Sequence, residues 1–126
     1  MIENFGIGID ISNIDRFVNK PYEKNESFYK RIFTKQEIDY CLKFPNYSEK
    51  FAGKFALKEA LMKSINETII FPEIETSYLN SKPIVKILDS TTSGYVSTVQ
   101  SKYRFLVSLS HENGMAVAVV ISEKVT

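Results

Sequence analysis

The sequence predicts an α+β fold, a single domain with a largely antiparallel sheet and one long helix packed on it. Two observations support this prediction. Capping residues and apolar residues at helical spacing fill the first half of the chain, whereas β-prone segments joined by short turns fill the second half. The chain has 126 residues, of which 44% are hydrophobic, so we expect one globular domain over residues 1–126.

The first element is predicted to be a strand. Apolar residues occupy every second position from Phe5 to Ile11, which is typical of a strand with one buried face. Asp10 then lies on the face opposite the isoleucines, and two glycines leave space beside it. Ser12 is expected to cap a short helix whose apolar residues are Ile14, Phe17 and Val18.

Two further helical segments are expected after a polar loop. The first is a short helical turn over Phe28–Phe33. Thr34 and Glu37 have the spacing of a capping box and therefore begin the second. That helix must end near Phe44, because a proline follows and disfavours helical backbone before it.

The second half of the chain is predicted to contain four strands and one helix. Glu73–Leu79 and Pro83–Leu88 form one pair of strands, and Phe105–Ser110 and Met115–Ser122 form a hairpin around an Asn-Gly turn. Between the two pairs, Thr92–Tyr103 has the amphipathic pattern of a helix. Hairpins of this kind give an antiparallel sheet.

The longest helix carries an unusual carboxylate. Ser48 is expected to cap this helix, which runs from Glu49 to about Ile65. At about 100° per residue, Glu59 falls within the apolar stripe formed by Phe51, Phe55 and Met62. An ionised carboxylate there is costly unless a cation or hydrogen bonds satisfy it. Either an ion pair with Lys63, one turn further on, or a bound metal ion would do so.

Any metal site in this chain must rely on carboxylates, because the sequence has one Cys and one His. Asp10 is the second candidate ligand, although it could instead cap the helix after its strand. Two carboxylates with open positions for water and phosphate oxygens suit Mg²⁺. Lys54, Lys58 and Lys63 could add charge for a polyphosphate, whereas Cys41 is expected only to pack in the core.

Charge is unevenly distributed, although the formal net charge is only +1. The segment Arg16–Lys63 holds 11 of the 16 basic residues but only 6 of the 15 acidic ones. Such a segment either steers an anionic partner or consists of solvated helix faces. The balanced total argues against a nucleic-acid coat protein. No apolar run approaches the ~18 residues of a membrane span, and no secretory signal is visible, so we expect a cytoplasmic protein.

Three blocks of the sequence are distinctive in combination. They are Phe5–Ile11, which contains Gly-Ile-Asp; Ala52–Lys63, which contains Phe-Ala-Leu-Lys-Glu-Ala-Leu-Met-Lys; and Ser108–Glu112, which ends in Ser-His-Glu. In this order, they resemble holo-[acyl-carrier-protein] synthase, the short stand-alone class of 4′-phosphopantetheinyl transferases. The likeness covers almost the whole chain and includes Arg16 after the first strand.

The resemblance implies transfer of 4′-phosphopantetheine from coenzyme A to a serine of apo acyl carrier protein, with release of adenosine 3′,5′-bisphosphate. It implies that Asp10 and Glu59 hold Mg²⁺ against the pyrophosphate. It also makes Glu59, directly or through a water, the candidate for accepting the serine proton. By the same analogy, Lys58 and Lys63 contact the phosphates, and His111 contacts the nucleotide phosphate.

Two partner contacts also follow from the resemblance. Arg16 would lie in the surface that receives the acidic carrier protein. The family is typically a homotrimer with active sites between subunits, so His111 would serve a neighbouring subunit's site. Judged from the sequence alone, His111 could equally be a strand-end imidazole that makes one backbone hydrogen bond.

The sequence departs from the family pattern at two places. A Gly-Thr-Gly turn usually follows the lysine at position 63, but Ser64–Ile69 contains no glycine, and Glu67 would repel a nearby phosphate. Lys54 stands where arginine is usual, which keeps the charge but loses the bidentate fork.

Two other functions stay open. One is a non-catalytic module that binds an acidic protein or nucleotide, and the other is a transferase acting on carrier domains of polyketide or peptide synthesis.

Overall fold

The computed structural model describes residues 2–88 and 102–125. Their helices and strands, in chain order, are β1 (Phe5–Asn13), α1 (Asp15–Val18), α2 (Glu26–Lys30), α3 (Lys35–Cys41), α4 (Tyr47–Ser64), β2 (Ile74–Leu79), β3 (Lys82–Ile87), β4 (Tyr103–Glu112) and β5 (Met115–Lys124). Single turns of 3₁₀ helix cover Tyr22–Lys24 and Phe71–Glu73.

All strand pairs are antiparallel, as the sequence predicts. One sheet has the order β1-β5-β4, and β2 pairs with β3 in a separate two-stranded sheet. The turn between β4 and β5 places Asn113 and Gly114 at positive φ, 51° and 75°, which is the backbone that an Asn-Gly turn favours. The α+β fold class is confirmed, with α4 packed on the three-stranded sheet.

The face of β1 that packs on α4 is the one that carries the glycines. A Cβ atom built on Gly8 would lie 1.9 Å from the carbonyl oxygen of Ala60, so only glycine allows this close approach of strand and helix. The opposite face is exposed within the chain, with Ile7 68% and Ile9 56% accessible. Asp10 lies opposite the isoleucines, as predicted, and therefore points towards α4.

Helix α4 is buried all round over residues 51–58. The three-stranded sheet covers one side, and α1, α3 and β2 contact the helix elsewhere. Aromatic rings fill the space beneath the short helices. The ring of Phe51 lies 4.6 Å from that of Tyr29 and 4.8 Å from that of Phe33. Burial of α4 over residues 51–58 explains why two of its lysines, Lys54 and Lys58, are also inside the protein.

Two predicted caps are wrong. Ser12 belongs to β1, and the Asn13 side chain instead accepts a hydrogen bond of 2.9 Å from the backbone of Asp15. Ser48 lies inside α4, which begins one residue earlier, at Tyr47. Both errors arise because several polar residues precede each helix, and any of them could serve as a cap.

The capping box at Thr34 is confirmed. Its hydroxyl accepts from the backbone of Glu37, and its backbone donates to the Glu37 carboxylate at 2.8 Å. The helix ends earlier than predicted, at Cys41, and the short helical turn lies at Glu26–Lys30.

Two other expectations concern the later part of the chain. The predicted helix Thr92–Tyr103 lies outside the described residues except for its last two positions, and Tyr103 begins β4. No helix among the described residues is long and apolar enough to cross a membrane.

Candidate active site

Asp10 and Lys63 meet between β1 and α4. The Lys63 ammonium donates to Asp10 Oδ1 and to the carbonyl of Ile9, both at 3.1 Å. The carboxylate side chain is 14% exposed, whereas the lysine is 53% exposed and reaches solvent. β1 is an edge strand of its sheet within the described residues, and the exposed Lys63 leaves this contact open to solvent on one side.

Glu59 lies beside the same pair. β1 and α4 run antiparallel, since Gly6 packs against Ser64 and Gly8 packs against Ala60. Two strand residues and four helix residues span similar lengths, about 7 Å and about 6 Å. Asp10 therefore lies next to the helical turn that ends at Glu59.

The burial of Glu59 differs from the sequence prediction. It is only partly buried, although the eight residues 51–58 are all buried. Lys63 forms an ion pair with Asp10 and none with Glu59 among the described residues, so the structure does not show the ion pair that the sequence offered for Glu59. Glu59 and Lys63 still share one helix face, being four residues apart.

The oxygens of Asp10 and Glu59 suit a small hard cation. No three His, Cys, Asp or Glu side chains gather into a metal-binding group within residues 2–88 and 102–125. A cation here would therefore take two carboxylates and fill its other positions with water or ligand oxygens. Mg²⁺ commonly binds proteins in this way, through one or two carboxylates plus substrate phosphates.

Lys58 points away from Asp10, into the interior. Its ammonium lies 2.6 Å from the Glu37 carboxylate and donates to the carbonyls of Ile32 and Phe71, at 2.8 and 3.1 Å. Three donors thus have three partners. Burial lowers the pKa of Lys58. The Lys58 ammonium is therefore not exposed for the phosphate contact that the resemblance implies.

Lys54 is similarly occupied. Its ammonium donates to the backbone carbonyl and the hydroxyl of Thr76, at 2.9 and 3.0 Å. The rings of Tyr40 and Tyr78 flank it, with centroids 4.9 and 5.5 Å away. Among the three lysines proposed from the sequence to add charge for a polyphosphate, only Lys63 reaches solvent.

His111 lies near the end of β4, with its ring against α4. A Cβ atom built on Gly53 would lie 2.9 Å from the His111 Nε2 atom. Gly53 precedes Glu59 by six residues, which is about 9 Å along the helix axis. A single chain therefore does not bring His111 to Asp10 and Lys63. No hydrogen bond from the His111 ring occurs among the residues described.

Arg16 lies closer to Glu59 than its position in the sequence suggests. It is exposed on α1, and its guanidinium carbon lies 4.8 Å from the centre of the Phe55 ring. Phe55 precedes Glu59 by one helical turn. Arg16 thus presents positive charge one helical turn from Glu59.

A cavity of about 790 Å³ opens beside Lys63, and its lining includes Asn66 and Tyr103. This volume is within the range of small-molecule sites. The Glu67 carboxylate, expected to repel phosphate, accepts a hydrogen bond from the Tyr103 hydroxyl. Burial and this hydrogen bond raise the pKa of Tyr103 to about 12.

Sequence reasoning did not predict two features near this site. The Thr34–Glu37 spacing predicts only a capping box, yet Glu37 is also the buried partner of Lys58. The exposed apolar face of the sheet was also missed, and besides the β1 isoleucines it contains Leu106 and Ile121. Alternation along β1 predicts that its apolar face is buried, and within one chain this is wrong, because α4 packs on the glycine face instead.

The chain is similar to proteins of a known family. The model of the 4′-phosphopantetheinyl transferase superfamily matches residues 6–120. The holo-[acyl-carrier-protein] synthase of Caldicellulosiruptor bescii is 33% identical over 123 residues, which cover 95% of this chain and 98% of that protein.

Two solved structures of such synthases have a similar fold. One, from Bacillus anthracis in complex with CoA (3′,5′-ADP), is 29% identical with a TM-score of 0.72 and covers 95% of this chain and 96% of its own. The other, from Helicobacter pylori in complex with coenzyme A, is 28% identical with a TM-score of 0.72 and covers 93% and 99%.

Proposed function

The chain belongs to the holo-[acyl-carrier-protein] synthase family of 4′-phosphopantetheinyl transferases, and we propose that it transfers 4′-phosphopantetheine from coenzyme A to a serine of apo acyl carrier protein. We further propose that the reaction needs Mg²⁺ and releases adenosine 3′,5′-bisphosphate. The observation that carries this proposal is the contact of Lys63 with Asp10 between β1 and α4, next to the helical turn that contains Glu59. One transferase domain over residues 1–126 and the predicted cytoplasmic location are part of the proposal.

Asp10 and Glu59 are the proposed metal ligands. When bound, Mg²⁺ would neutralise charge on the pyrophosphate oxygens. The serine Oγ forms a bond to the β-phosphorus of coenzyme A, and the bond from that phosphorus to the bridging oxygen breaks. The bridging oxygen leaves with the electron pair on adenosine 3′,5′-bisphosphate. Glu59, half-buried at the edge of the site, accepts the serine proton across one water.

Lys63 is the proposed phosphate contact. Its exposed ammonium already neutralises Asp10, and it borders the large cavity. An ammonium group has three donors, so Lys63 can keep its contact with Asp10 while it binds a phosphate oxygen. Lys63 in the lining supports assigning coenzyme A to this cavity, and the Bacillus anthracis and Helicobacter pylori synthases were solved in complex with coenzyme A.

We assign His111 to the site of a neighbouring subunit in a homotrimer. Within one chain, His111 packs against Gly53, about 9 Å along α4 from Glu59. The exposed apolar face of the three-stranded sheet supports assembly, since Ile7 and Leu106 are 68% and 72% accessible. Contiguous apolar surface of this kind marks protein interfaces.

Mass spectrometry of apo acyl carrier protein tests the transfer. Incubation with coenzyme A and Mg²⁺ should add the mass of one phosphopantetheine, and a chelator should prevent the addition. Glu59→Gln and Asp10→Asn should each abolish the transfer while thermal unfolding stays near that of the unmodified protein. Asp39→Asn, at an exposed carboxylate of α3, is the matched control and should be fully active.

Undiminished transfer by both site variants would refute the metal assignment. No transfer to any carrier, combined with tight binding of carrier or nucleotide, would favour the non-catalytic binding module. The same assay with carrier domains of polyketide and peptide synthesis tests the remaining alternative, a different carrier substrate.

Arg16 is proposed to receive the acidic carrier protein. Reversal of its charge in Arg16→Glu should raise the KM for carrier protein about tenfold and leave the KM for coenzyme A nearly unchanged, because long-range attraction acts on the charged protein partner. Lys35→Glu reverses a charge on α3 and serves as the control. An equal rise in both KM values would argue against a docking role for Arg16.

A further inference from the structure

We propose that the buried ion pair between Glu37 and Lys58 is a positioning device for Glu59. The inference deepens the proposed function, since it takes Glu59 as the carboxylate that accepts the serine proton. Lys58 and Glu59 are adjacent in α4, and only the first of them is locked into the interior. The pair would set the rotation of the helix at the point where Glu59 emerges towards Asp10.

Glu37 and Lys58 have almost no access to solvent, at 1% and 0%, and their charged atoms are 2.6 Å apart. The ammonium also donates to the carbonyls of Ile32 and Phe71, as described above. These two carbonyls come from the segments after α2 and before β2. One side chain of α4 therefore holds three separate parts of the chain.

The carboxylate of Glu37 is equally occupied. Its Oε1 atom accepts from the Thr34 backbone at 2.8 Å, in addition to Lys58. Its Oε2 atom accepts from the backbone and the hydroxyl of Thr76, at 2.8 and 2.7 Å. The start of α3 and strand β2 are thereby tied to the middle of α4. Glu37 cannot shift without breaking several hydrogen bonds at once.

The helix geometry transmits this constraint to Glu59. Successive residues of an α-helix are about 100° apart, so a helix held at Lys58 also has a defined direction at Glu59. At a side-chain radius of about 6 Å, a 20° rotation of α4 would move the Glu59 carboxylate by about 2 Å. Misplacement of a reacting group by about 1 Å can lower a rate about 100-fold.

Stability alone does not account for the pair. The desolvation of two buried charges offsets most of their attraction, and apolar residues of similar volume are often as stable or more so. A lone buried charge is a different case, because nothing compensates its desolvation. Removal of one partner should therefore destabilise the fold more than removal of both, which leaves no lone buried charge.

A double-variant comparison separates positioning from stability. Glu37→Gln and Lys58→Met should each lower the thermal midpoint markedly. The combined variant should regain part of the lost midpoint, because no lone buried charge remains, although the carbonyls of Ile32 and Phe71 lose their donor. Its kcat for transfer should nevertheless stay about 10- to 100-fold low, with both KM values changed less than threefold. Ile38→Ala is the control. Ile38 is a buried core residue of α3, so this variant should lower the thermal midpoint but leave kcat unchanged.

Thr76 provides a milder test if the charge variants do not fold. Thr76→Val removes the hydroxyl that donates to Glu37 Oε2 and accepts from Lys54, and it should lower kcat several-fold. Thr76→Ser keeps both contacts and should keep kcat near that of the unmodified protein. Equal kcat values in these two variants, or recovery of kcat together with stability in the double variant, would overturn the proposal.

The tests also distinguish this proposal from the proposed function. If the unmodified protein transfers no phosphopantetheine, both proposals fail. If it does transfer the group, and the stable double variant keeps the full kcat, only the positioning role of the ion pair fails.

Discussion

At the scale of single residues, three lysines of one helix have different environments. Lys63 reaches solvent beside Asp10, whereas Lys54 and Lys58 are buried against Thr76 and Glu37. Their spacing in the sequence shows only that Lys54 and Lys58 share a helix face. Whether that face meets solvent depends on α3 and β2, which come from other parts of the chain. The lysine type alone therefore does not predict a phosphate contact.

Cys41 should be unreactive in the folded protein. It is completely buried, and this burial raises the pKa of its thiol to about 12, so the nucleophilic thiolate is almost absent near neutral pH. We expect iodoacetamide at pH 8 to label Cys41 in guanidinium chloride but not in native buffer, with mass spectrometry as the readout. Comparable labelling rates in the two conditions would contradict the buried position.

Tyr103 should control coenzyme A affinity through Glu67. The tyrosine hydroxyl engages a carboxylate that lies in the loop beside the cavity and would otherwise repel phosphate. Tyr103→Phe should raise the KM for coenzyme A several-fold and leave the KM for carrier protein unchanged. A second substitution, Glu67→Gln, should reverse that increase in KM, because it removes the negative charge that the Tyr103 hydroxyl no longer engages. If the KM for coenzyme A of the double variant stays as high as that of Tyr103→Phe, the effect is not electrostatic.

At the scale of elements, the close contact of β1 with α4 creates the site. Glycines on β1 let the strand approach the carbonyls of the helix, and this brings Asp10 within reach of Lys63. The alternation that predicts a strand also places Asp10 and the glycines on one face. The close packing of β1 on α4 and the placement of the Asp10 carboxylate therefore depend on the same short segment, β1.

Gly8→Ala should destabilise this contact strongly. The added methyl would meet the Ala60 carbonyl at 1.9 Å, and backbone atoms cannot move aside as a flexible side chain can. We expect the free energy of unfolding to fall by about 3 kcal/mol, at the upper end for overpacking. Gly114→Ala is a useful comparison. It meets no neighbour but forces alanine to φ +75°, which should cost about 1–2 kcal/mol. Chemical denaturation measures both, and a smaller loss for Gly8→Ala would contradict the packing argument.

At the scale of the whole molecule, the three-stranded sheet has one face covered by α4 and one apolar face left open. The open face carries the isoleucines of β1 with Leu106 of β4 and Ile121 of β5, and the strand register brings Ile7, Ile121 and Leu106 into one row. The proposed homotrimer would cover this face, and the cavity, which Ile7, Leu106 and Ile121 also line, would then lie between subunits. It would also allow His111 to complete a neighbouring site.

Assembly through this face can be tested with a charge. Ile9→Lys places an ammonium among the exposed isoleucines of β1. The variant should yield folded monomers, because Ile9 is 56% accessible within one chain and the substitution does not disturb the core. Light scattering coupled to size-exclusion chromatography measures the mass, and circular dichroism checks the fold. Persistence of the unmodified oligomer, or an unmodified protein that is itself a monomer, would refute this interface.

Shared active sites predict complementation between two inactive variants. In a mixed trimer of Glu59→Gln and His111→Ala subunits, some interfaces combine an intact Glu59 with an intact His111 from the neighbour. Co-expression should therefore restore part of the transfer activity that each variant lacks alone. If activity does not return in mixed oligomers, His111 serves its own chain or has no part in the site.

Much of the fold and part of the site are predictable from local patterns. Period-2 alternation identified β1, and the Thr34–Glu37 spacing identified a capping box, because both depend on neighbours a few residues apart. The exact caps of α1 and α4 were missed, since several polar residues compete there. The ion pair of Glu37 with Lys58 was out of reach, because it joins residues 21 positions apart on different helices.

By itself, the sequence determined the fold class, the family and the location of Asp10 opposite the isoleucines. Only the tertiary structure decided which face of β1 is covered, which lysine meets Asp10 and where Lys58 points. The physical reason is that periodicity states which side chains share a face. What that face contacts depends on steric fit and on charge pairing between segments far apart in the chain. Here that fit comes from glycines that admit a helix and from a buried carboxylate that takes a lysine out of solvent.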